Sequence, residues 1–92
     1  MRPYRFTIED MYVGRKLICI KSFELSVYTV GFEYEIIESN QRYKYAYRIT
    51  DDDSVCGWSL DQMNDDAVRL YPLDKLTDKE LFLFRLSGRL PE

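Results

Sequence analysis

The chain has 92 residues and a formal net charge of −3, and its length is that of one domain with a single modest core. Eight Tyr, five Phe and one Trp supply large side chains to fill that core. No run approaches the roughly 18 apolar residues of a membrane helix. The opening MRPYRFTIEDMY also carries polar groups where a secretory signal has its apolar run. We therefore expect one domain over residues 1–92, in the cytoplasm and without a membrane partner.

The pattern of apolar residues between positions 15 and 72 predicts a β-rich fold. RKLICIKSF is an apolar, β-branched run, and EYEIIES alternates acidic with apolar residues as a half-buried strand does. ELSVYTVGF is predicted to be a loop between them, and NQR a turn after them. The predicted strands cover residues 15–23, 33–39, 43–50, 55–60 and 67–72.

The stretch RYKYAYRITDDDSVCGW (42–58) is predicted to form a hairpin. Tyr43, Tyr45, Tyr47 and Ile49 fall on one face by period two, and tyrosines on such a face pack across a sheet. The DDDS segment is rich in side chains that bond their own backbone in turns. A competing hypothesis has the three tyrosines stacking the bases of a single strand, but such platforms lie in basic grooves and this one adjoins an acidic stretch.

The DDDS segment is also a candidate for Ca²⁺ binding, and the spacing argues against it. An EF-hand loop beginning at Asp51 needs glycine at its sixth position and glutamate at its twelfth, where this chain has Cys56 and Gln62. The chain has no histidine and no CxxC pair, so a zinc site would need an unusual set of carboxylate ligands. We expect no metal and no cofactor.

The two cysteines, Cys19 and Cys56, lie in apolar surroundings and are predicted to be reduced and buried, with a disulfide or a two-Cys metal site as the alternative. The sequence has no glycine-rich phosphate loop, and no Ser or Cys stands beside a plausible base. Paired carboxylates need a cleft that separates their pKa values, and a closed domain of this size leaves little cleft. The sequence therefore predicts a protein that is not an enzyme.

Acidic residues are concentrated in one segment. Residues 51–66 hold six Asp and no Lys or Arg, whereas residues 1–50 hold eight basic and six acidic residues. This asymmetry argues against DNA binding and favours a basic protein partner. The predicted partner-binding residues are Asp51, Asp52, Asp53, Asp61, Asp65 and Asp66.

The C-terminal segment carries the clearest local signal, a helix over about residues 77–88. Thr77 and Glu80 form a capping box, and Gly88 and Pro91 are typical of a helix end. Ser59 and Gln62 predict a similar cap for a single helical turn at LDQMND.

The C-terminal helix is apolar almost all round, so it needs cover on more than one side. The expected cover is a homodimer or partner contact, or else the N-terminal RPYRF segment of the same chain. The predicted interface residues are Phe82, Leu83, Phe84 and Leu86.

Five short strands and a helical turn before the last strand predict a mainly β domain, a small five-stranded SH3-like barrel over about residues 13–73 with a capped C-terminal α-helix. The segments VGRKLICIKSF, YTVGFEYEIIES and YRITDDDSVCGWSL also resemble a group of small SH3-like proteins encoded by bacteriophages and prophages. The matching positions are Gly14, Cys19, Ile20, Thr29, Gly31, Tyr34, Ile49, Asp51, Asp52 and Trp58. Phe32 departs from the pattern, which favours a basic residue there, and the capped helix is an addition. Most members have no assigned activity, so the resemblance implies phage origin and fold more than function.

Three functional hypotheses follow. The leading one is a non-catalytic phage-type binding protein that docks on a host protein and modulates or inhibits it. The second is an acidic nucleic-acid mimic that inhibits a restriction or nucleoid protein, although mimics carry far more negative charge than −3. The third is a KOW-like RNA-binding module, which predicts RNA binding that depends strongly on salt.

Overall fold

The computed structural model describes residues 4–40 and 42–89. The described part contains five strands, two α-helices and two 3₁₀ turns. The strands are β1 (Lys16–Lys21), β2 (Glu33–Ser39), β3 (Tyr47–Thr50), β4 (Val55–Trp58) and β5 (Arg69–Pro72). The helices are α1 (Leu60–Met63) and α2 (Asp78–Ser87), and the 3₁₀ turns are Ile8–Asp10 and Leu73–Lys75. All five predicted strands are therefore present, although β1, β3, β4 and β5 are shorter than predicted.

The five strands form one antiparallel sheet in the order β4-β3-β2-β1-β5. The register shifts between Cys19 and Lys21 and between Ile36 and Glu38, and such irregularities bend a sheet. β4 and β5 are the two edge strands, and within the described residues they do not pair with each other. The predicted mainly β fold with a C-terminal helix is therefore present, but the described sheet is not closed into a barrel, and the SH3-like assignment stays a prediction.

The core is built from alternating strand residues and from aromatic groups. Strand β3 buries Tyr47 and Ile49, and the first half of β2 buries Tyr34 and Ile36, with the period of two expected of a half-buried sheet. The N-terminal segment adds Phe6 and Met11, and the loop between β1 and β2 adds Tyr28. The main core residues are Phe6, Met11, Leu17, Cys19, Tyr28, Tyr34, Ile36, Tyr47, Ile49, Trp58, Met63 and Leu70.

Both predicted helix caps are confirmed. The Ser59 hydroxyl accepts from the Gln62 N–H at 3.2 Å, and the Thr77 hydroxyl accepts from the Glu80 N–H at 3.1 Å, with the reciprocal bonds also formed. Helix α2 ends at Gly88, whose φ of 72° is the left-handed conformation that glycine adopts without strain. The predicted role of Pro91 lies outside the described residues.

The predicted third strand starts too early. β3 begins at Tyr47, and only Tyr47 and Ile49 of the predicted apolar face are buried. Tyr43 is 67% exposed and lies in a turned segment before the strand, as does Tyr45. The Asn40 N–H donates to the Ala46 carbonyl at 2.6 Å, and this bond joins the two ends of the loop between β2 and β3. Period-two spacing alone could not show that the chain turns here, and Gln41 of the predicted turn lies outside the described residues.

An ion-pair network that the sequence did not predict holds the start of β1. Arg15 is buried, and its guanidinium donates to Asp10 Oδ1 at 3.1 Å and to Asp74 Oδ1 at 2.9 Å. A second bond from Arg15 Nε reaches Asp74 Oδ2 at 3.1 Å, so the contact is bidentate. The network ties the N-terminal 3₁₀ turn and the turn after β5 to the same strand.

The N-terminal segment lies near α1 and β5. The Phe6 N–H donates to Asn64 Oδ1 at 2.7 Å, and the Tyr4 and Tyr71 rings are 5.6 Å apart. The hydrogen bonds and ring contacts of residues 4–6 therefore do not support the alternative in which this segment wraps the C-terminal helix. Arg2 and Pro3 lie outside the described residues. No helix within residues 4–40 and 42–89 is long and apolar enough to cross a membrane.

Candidate functional site

A groove of about 320 Å³ lies where the sheet stays open, between edge strand β4 and the start of β5. One wall is β4 itself, through Cys56, Gly57 and Trp58. The other wall is the loop of residues 23–28, with Val68 just before β5. We call this the β4 groove. Its full lining is Phe23, Leu25, Ser26, Val27, Tyr28, Cys56, Gly57, Trp58, Gln62 and Val68.

The floor of the β4 groove is held by the aromatic pair Tyr28 and Trp58. Their rings meet edge to face with centroids 5.4 Å apart, and Trp58 Nε1 donates to the Tyr28 hydroxyl at 2.9 Å. The Tyr28 hydroxyl in turn donates to the Ile49 carbonyl at 3.2 Å. This chain of bonds fixes the loop against the β3–β4 hairpin, so the groove is preformed.

The β3–β4 turn is stabilised by its own aspartates, which confirms the predicted hairpin. Asp51 Oδ1 accepts from the backbone N–H groups of Asp53 at 2.8 Å and Ser54 at 2.5 Å. Asp52 accepts from the hydroxyls of Thr29 and Tyr34, each at 2.7 Å. Asp51 and Asp52 therefore have structural partners, whereas the Asp53 side chain makes no hydrogen bond to another described residue.

The six predicted aspartates do not form one continuous row. Asp51, Asp52 and Asp53 lie in the turn before β4, and Asp61, Asp65 and Asp66 lie in and after α1, beyond the other end of the strand. β4 has four residues, so the two groups are separated by a strand length of about 13 Å. They flank the β4 groove at its two ends. The side chains of Asp53 and Asp61 are exposed and form no hydrogen bond or ion pair with other described residues.

The two walls of the β4 groove lack positive charge. Residues 22–34 and 49–68 contain no Lys or Arg, and Glu24 adds a further carboxylate beside the loop wall. Leu25 is 89% exposed, and Phe23 is also exposed at the rim. The groove is thus apolar at its centre with aspartates at its two ends, and the nearest basic residues are Arg48, opposite Gly57 on β3, and Arg69, which follows Val68.

Cys56, in the groove wall, is not an activated nucleophile. Its Sγ donates to Asp51 Oδ2 at 2.8 Å. Burial first, and then this hydrogen bond to a carboxylate, raise the pKa of the Cys56 thiol to about 11. The thiol therefore stays protonated at neutral pH. Burial likewise raises the pKa of the Cys19 thiol to about 11.

The predicted interface residues of α2 divide into two sets. Phe84 is only 1% exposed, so its assignment to an interface was wrong: it is buried within the chain. Phe82, Leu83 and Leu86 are exposed, with Leu86 at 70%. The reason is helical geometry, because residues 82 and 84 lie about 200° apart around a helix and cannot face the same way.

Side chains that could hold a metal are not grouped in the described part of the chain. No set of three His, Cys, Asp or Glu side chains is placed to hold an ion within residues 4–40 and 42–89. Comparison of the chain with protein-family models, with curated proteins and with solved structures found no match in any of the three.

Proposed function

We propose that this protein is a non-catalytic binding protein that docks on a basic host protein through the β4 groove and modulates or inhibits it. The observation that carries the proposal is an apolar groove at an open sheet edge, with aspartates at both ends and no Lys or Arg in its walls. Apolar centres with charged rims are typical of protein-binding surfaces.

We further propose that the fold is SH3-like and that the protein is of the phage-encoded type. The fold assignment is supported by β1 lying between β2 and β5, by the tight β3–β4 hairpin and by the short helix α1 before β5. The phage assignment is supported by the sequence pattern around Gly14, Gly31 and Asp51–Asp52.

The function is tested by affinity capture from bacterial lysate with mass spectrometry, comparing three forms of the chain. The test variant is Asp53→Asn with Asp61→Asn, which removes one exposed charge from each end of the groove. The matched control is Glu9→Gln with Asp78→Asn, which removes two exposed charges in the N-terminal 3₁₀ turn and at the start of α2.

We expect a basic protein to be captured by the wild type and the control, and at least severalfold less by the test variant. Capture of nucleic acid alone, or turnover of a metabolite, would contradict the proposal. Equal capture by all three forms would show that the β4 groove is not the binding surface.

A further inference from the structure

The backbone of β4 has hydrogen-bonding groups without a strand partner on the groove side. In an antiparallel pair, residues alternate between pointing their N–H and C=O at the partner strand and pointing them away. The Asp51 N–H donates to the Ser54 carbonyl at 3.0 Å, and this bond sets the phase of the β3–β4 ladder. Cys56 therefore faces β3, whereas Val55 and Gly57 direct their backbone groups to the open side.

The open side of β4 faces the 23–28 loop, which bonds the β3–β4 turn but not the strand: the Asp52 N–H donates to the Val27 carbonyl at 2.9 Å. No hydrogen bond joins the backbone of Val55 or Gly57 to the 23–28 loop, the wall across the groove. A Cβ placed at Gly57 would lie 3.4 Å from the Tyr45 Cβ, on the face of the sheet rather than at its edge, so alanine at this position leaves the edge free. The groove thus presents the unpaired backbone groups that an added strand requires.

The other edge strand, β5, has three features that hinder pairing with another strand and that β4 lacks. β5 contains Pro72, which has no N–H to offer. It also contains Arg69, which is buried and donates to the carbonyls of Met63 and Asp65 at 3.0 Å. The Tyr4 ring lies beside Tyr71 and places the N-terminal segment along β5. The sequence VCGW of β4 has no proline and no charge. The β5 edge is therefore protected against pairing with another strand, and the β4 edge is not.

We propose that the β4 groove binds an extended, basic segment of a partner protein, which adds to the sheet as a strand beside β4. This inference rests on the proposed function and specifies how the partner is held. Backbone bonds to Val55 and Gly57 hold the segment, its alternate apolar side chains enter the groove, and its basic residues meet the aspartates at the two ends. A segment of about eight residues is long enough to span β4 and reach both acidic groups.

Charge explains why the occupant is a partner rather than a second copy of this chain. Antiparallel pairing of two β4 strands would bring the Asp51–Asp53 turn of one chain beside Asp61 of the other. Parallel pairing would bring the two Asp51–Asp53 turns together. Both arrangements place like charges against each other, which disfavours association, whereas a basic segment is attracted at both ends.

The test uses a fluorescein-labelled peptide of about eight residues in which Lys and Val alternate, because such a peptide is extended, basic and apolar on one face. The matched control peptide replaces each Lys with Glu. Binding is measured by fluorescence anisotropy at low salt, on the wild type and on two variants. Gly57→Pro removes the outward N–H without removing a bond to β3, and Gly57→Ala keeps that N–H.

We expect the Lys–Val peptide to bind the wild type and Gly57→Ala with similar affinity, and Gly57→Pro about tenfold more weakly. The Glu–Val peptide should not bind any of them. Hydrogen exchange on the wild type provides a second measurement that does not require Gly57→Pro to fold. With the Lys–Val peptide present, the amides of Val55 and Gly57 should become protected, whereas those of β5 should not change.

Each other outcome overturns strand addition in a distinguishable way. No binding, or equal binding to Gly57→Pro and Gly57→Ala without amide protection in β4, excludes it. Another outcome is that the peptide binds Gly57→Pro and Gly57→Ala equally well and yet fails to bind the Asp53→Asn, Asp61→Asn variant. In that case the groove binds by charge alone, and the proposed function stands without strand addition. Protection of the same amides in the wild type without peptide would show that a second copy occupies the edge.

Discussion

At the scale of single residues, Arg15 is the charged group whose partners matter most for stability. Hydrogen bonding from Arg15 lowers the pKa of Asp74. Burial alone would raise the pKa of Asp10, but hydrogen bonds from Thr7, Tyr4 and Arg15 outweigh it, so that pKa is also lowered. A carboxyl whose pKa is lower in the folded state stabilises the fold above its unfolded pKa, and this contribution is lost as the pH falls through the folded value.

Replacing Arg15 with Met should therefore reduce the free energy of unfolding by about 2 kcal/mol at pH 7. This is less than the roughly 3–5 kcal/mol of a fully buried pair, because Asp74 is half exposed and screened by solvent. The difference between wild type and Arg15→Met, measured by urea unfolding, should shrink as the pH is lowered below about 4. Arg15→Lys is the control, and it should lie between them because Lys cannot make the bidentate contact. A difference that is the same at pH 3 and pH 7 would contradict this account.

Cys56 allows a chemical test of the β3–β4 turn. Because its thiol is protonated at neutral pH, alkylation by iodoacetamide should be slow. Asp51→Asn removes the charge that opposes the thiolate and keeps an oxygen for the turn bonds, so alkylation should become severalfold faster. The rate is read by mass spectrometry of the peptide that carries Cys56, and Asp61→Asn is the distant control. An unchanged rate in Asp51→Asn would mean that burial alone sets the pKa of Cys56.

At the scale of elements, the features that could be predicted from the sequence are those formed by residues close together in the chain. Both capping boxes join residues three positions apart, so Ser59 and Thr77 could be recognised without knowing the fold. Arg15 and Asp74 are 59 positions apart, and only the tertiary fold brings them together. The same limit applies to the candidate site, whose aspartates were predicted but whose groove depends on the 23–28 loop packing against β4.

Helix α2 has an apolar surface that residues 4–40 and 42–89 do not cover, and we expect it to pair two copies of the protein. Phe82 and Leu86 are exposed on the helix. Val30 and Phe32 are exposed beside a groove of about 310 Å³ that the helix borders. Burying each large apolar side chain is worth roughly 1.5–3 kcal/mol, and a two-fold contact would bury each of them twice.

Light scattering should accordingly give a dimer mass for the wild type and a monomer mass for Phe82→Glu with Leu86→Glu, with thermal stability of the monomer retained. Phe84→Ala is the contrasting variant. Its side chain is buried, so it should cost about 3–5 kcal/mol of stability and act on folding rather than on assembly. A wild type that stays monomeric over a wide concentration range would show that α2 does not pair two copies.

At the scale of the whole molecule, the net charge of −3 conceals a field concentrated at the two ends of β4. A positive charge about 10 Å from one aspartate gains about 0.4 kcal/mol in water, which corresponds to about a twofold change in rate. The four residues of β4 span about 13 Å, which exceeds the screening length of roughly 8–10 Å at 0.1–0.15 M salt. Each end should therefore attract a basic partner independently of the other.

We predict that Asp53→Asn and Asp61→Asn each slow association of the Lys–Val peptide about twofold at low salt, and that together they slow it about fourfold. Dissociation should change less, because exposed charges steer the encounter more than they hold the complex. Stopped-flow anisotropy at several NaCl concentrations separates the two rates, and the effect should fade as salt rises. The Glu9→Gln, Asp78→Asn variant should associate like the wild type, because those two charges lie in the N-terminal 3₁₀ turn and at the start of α2. A double variant no slower than either single one would mean that a single charge cluster steers the partner, and the two-ended arrangement would be wrong.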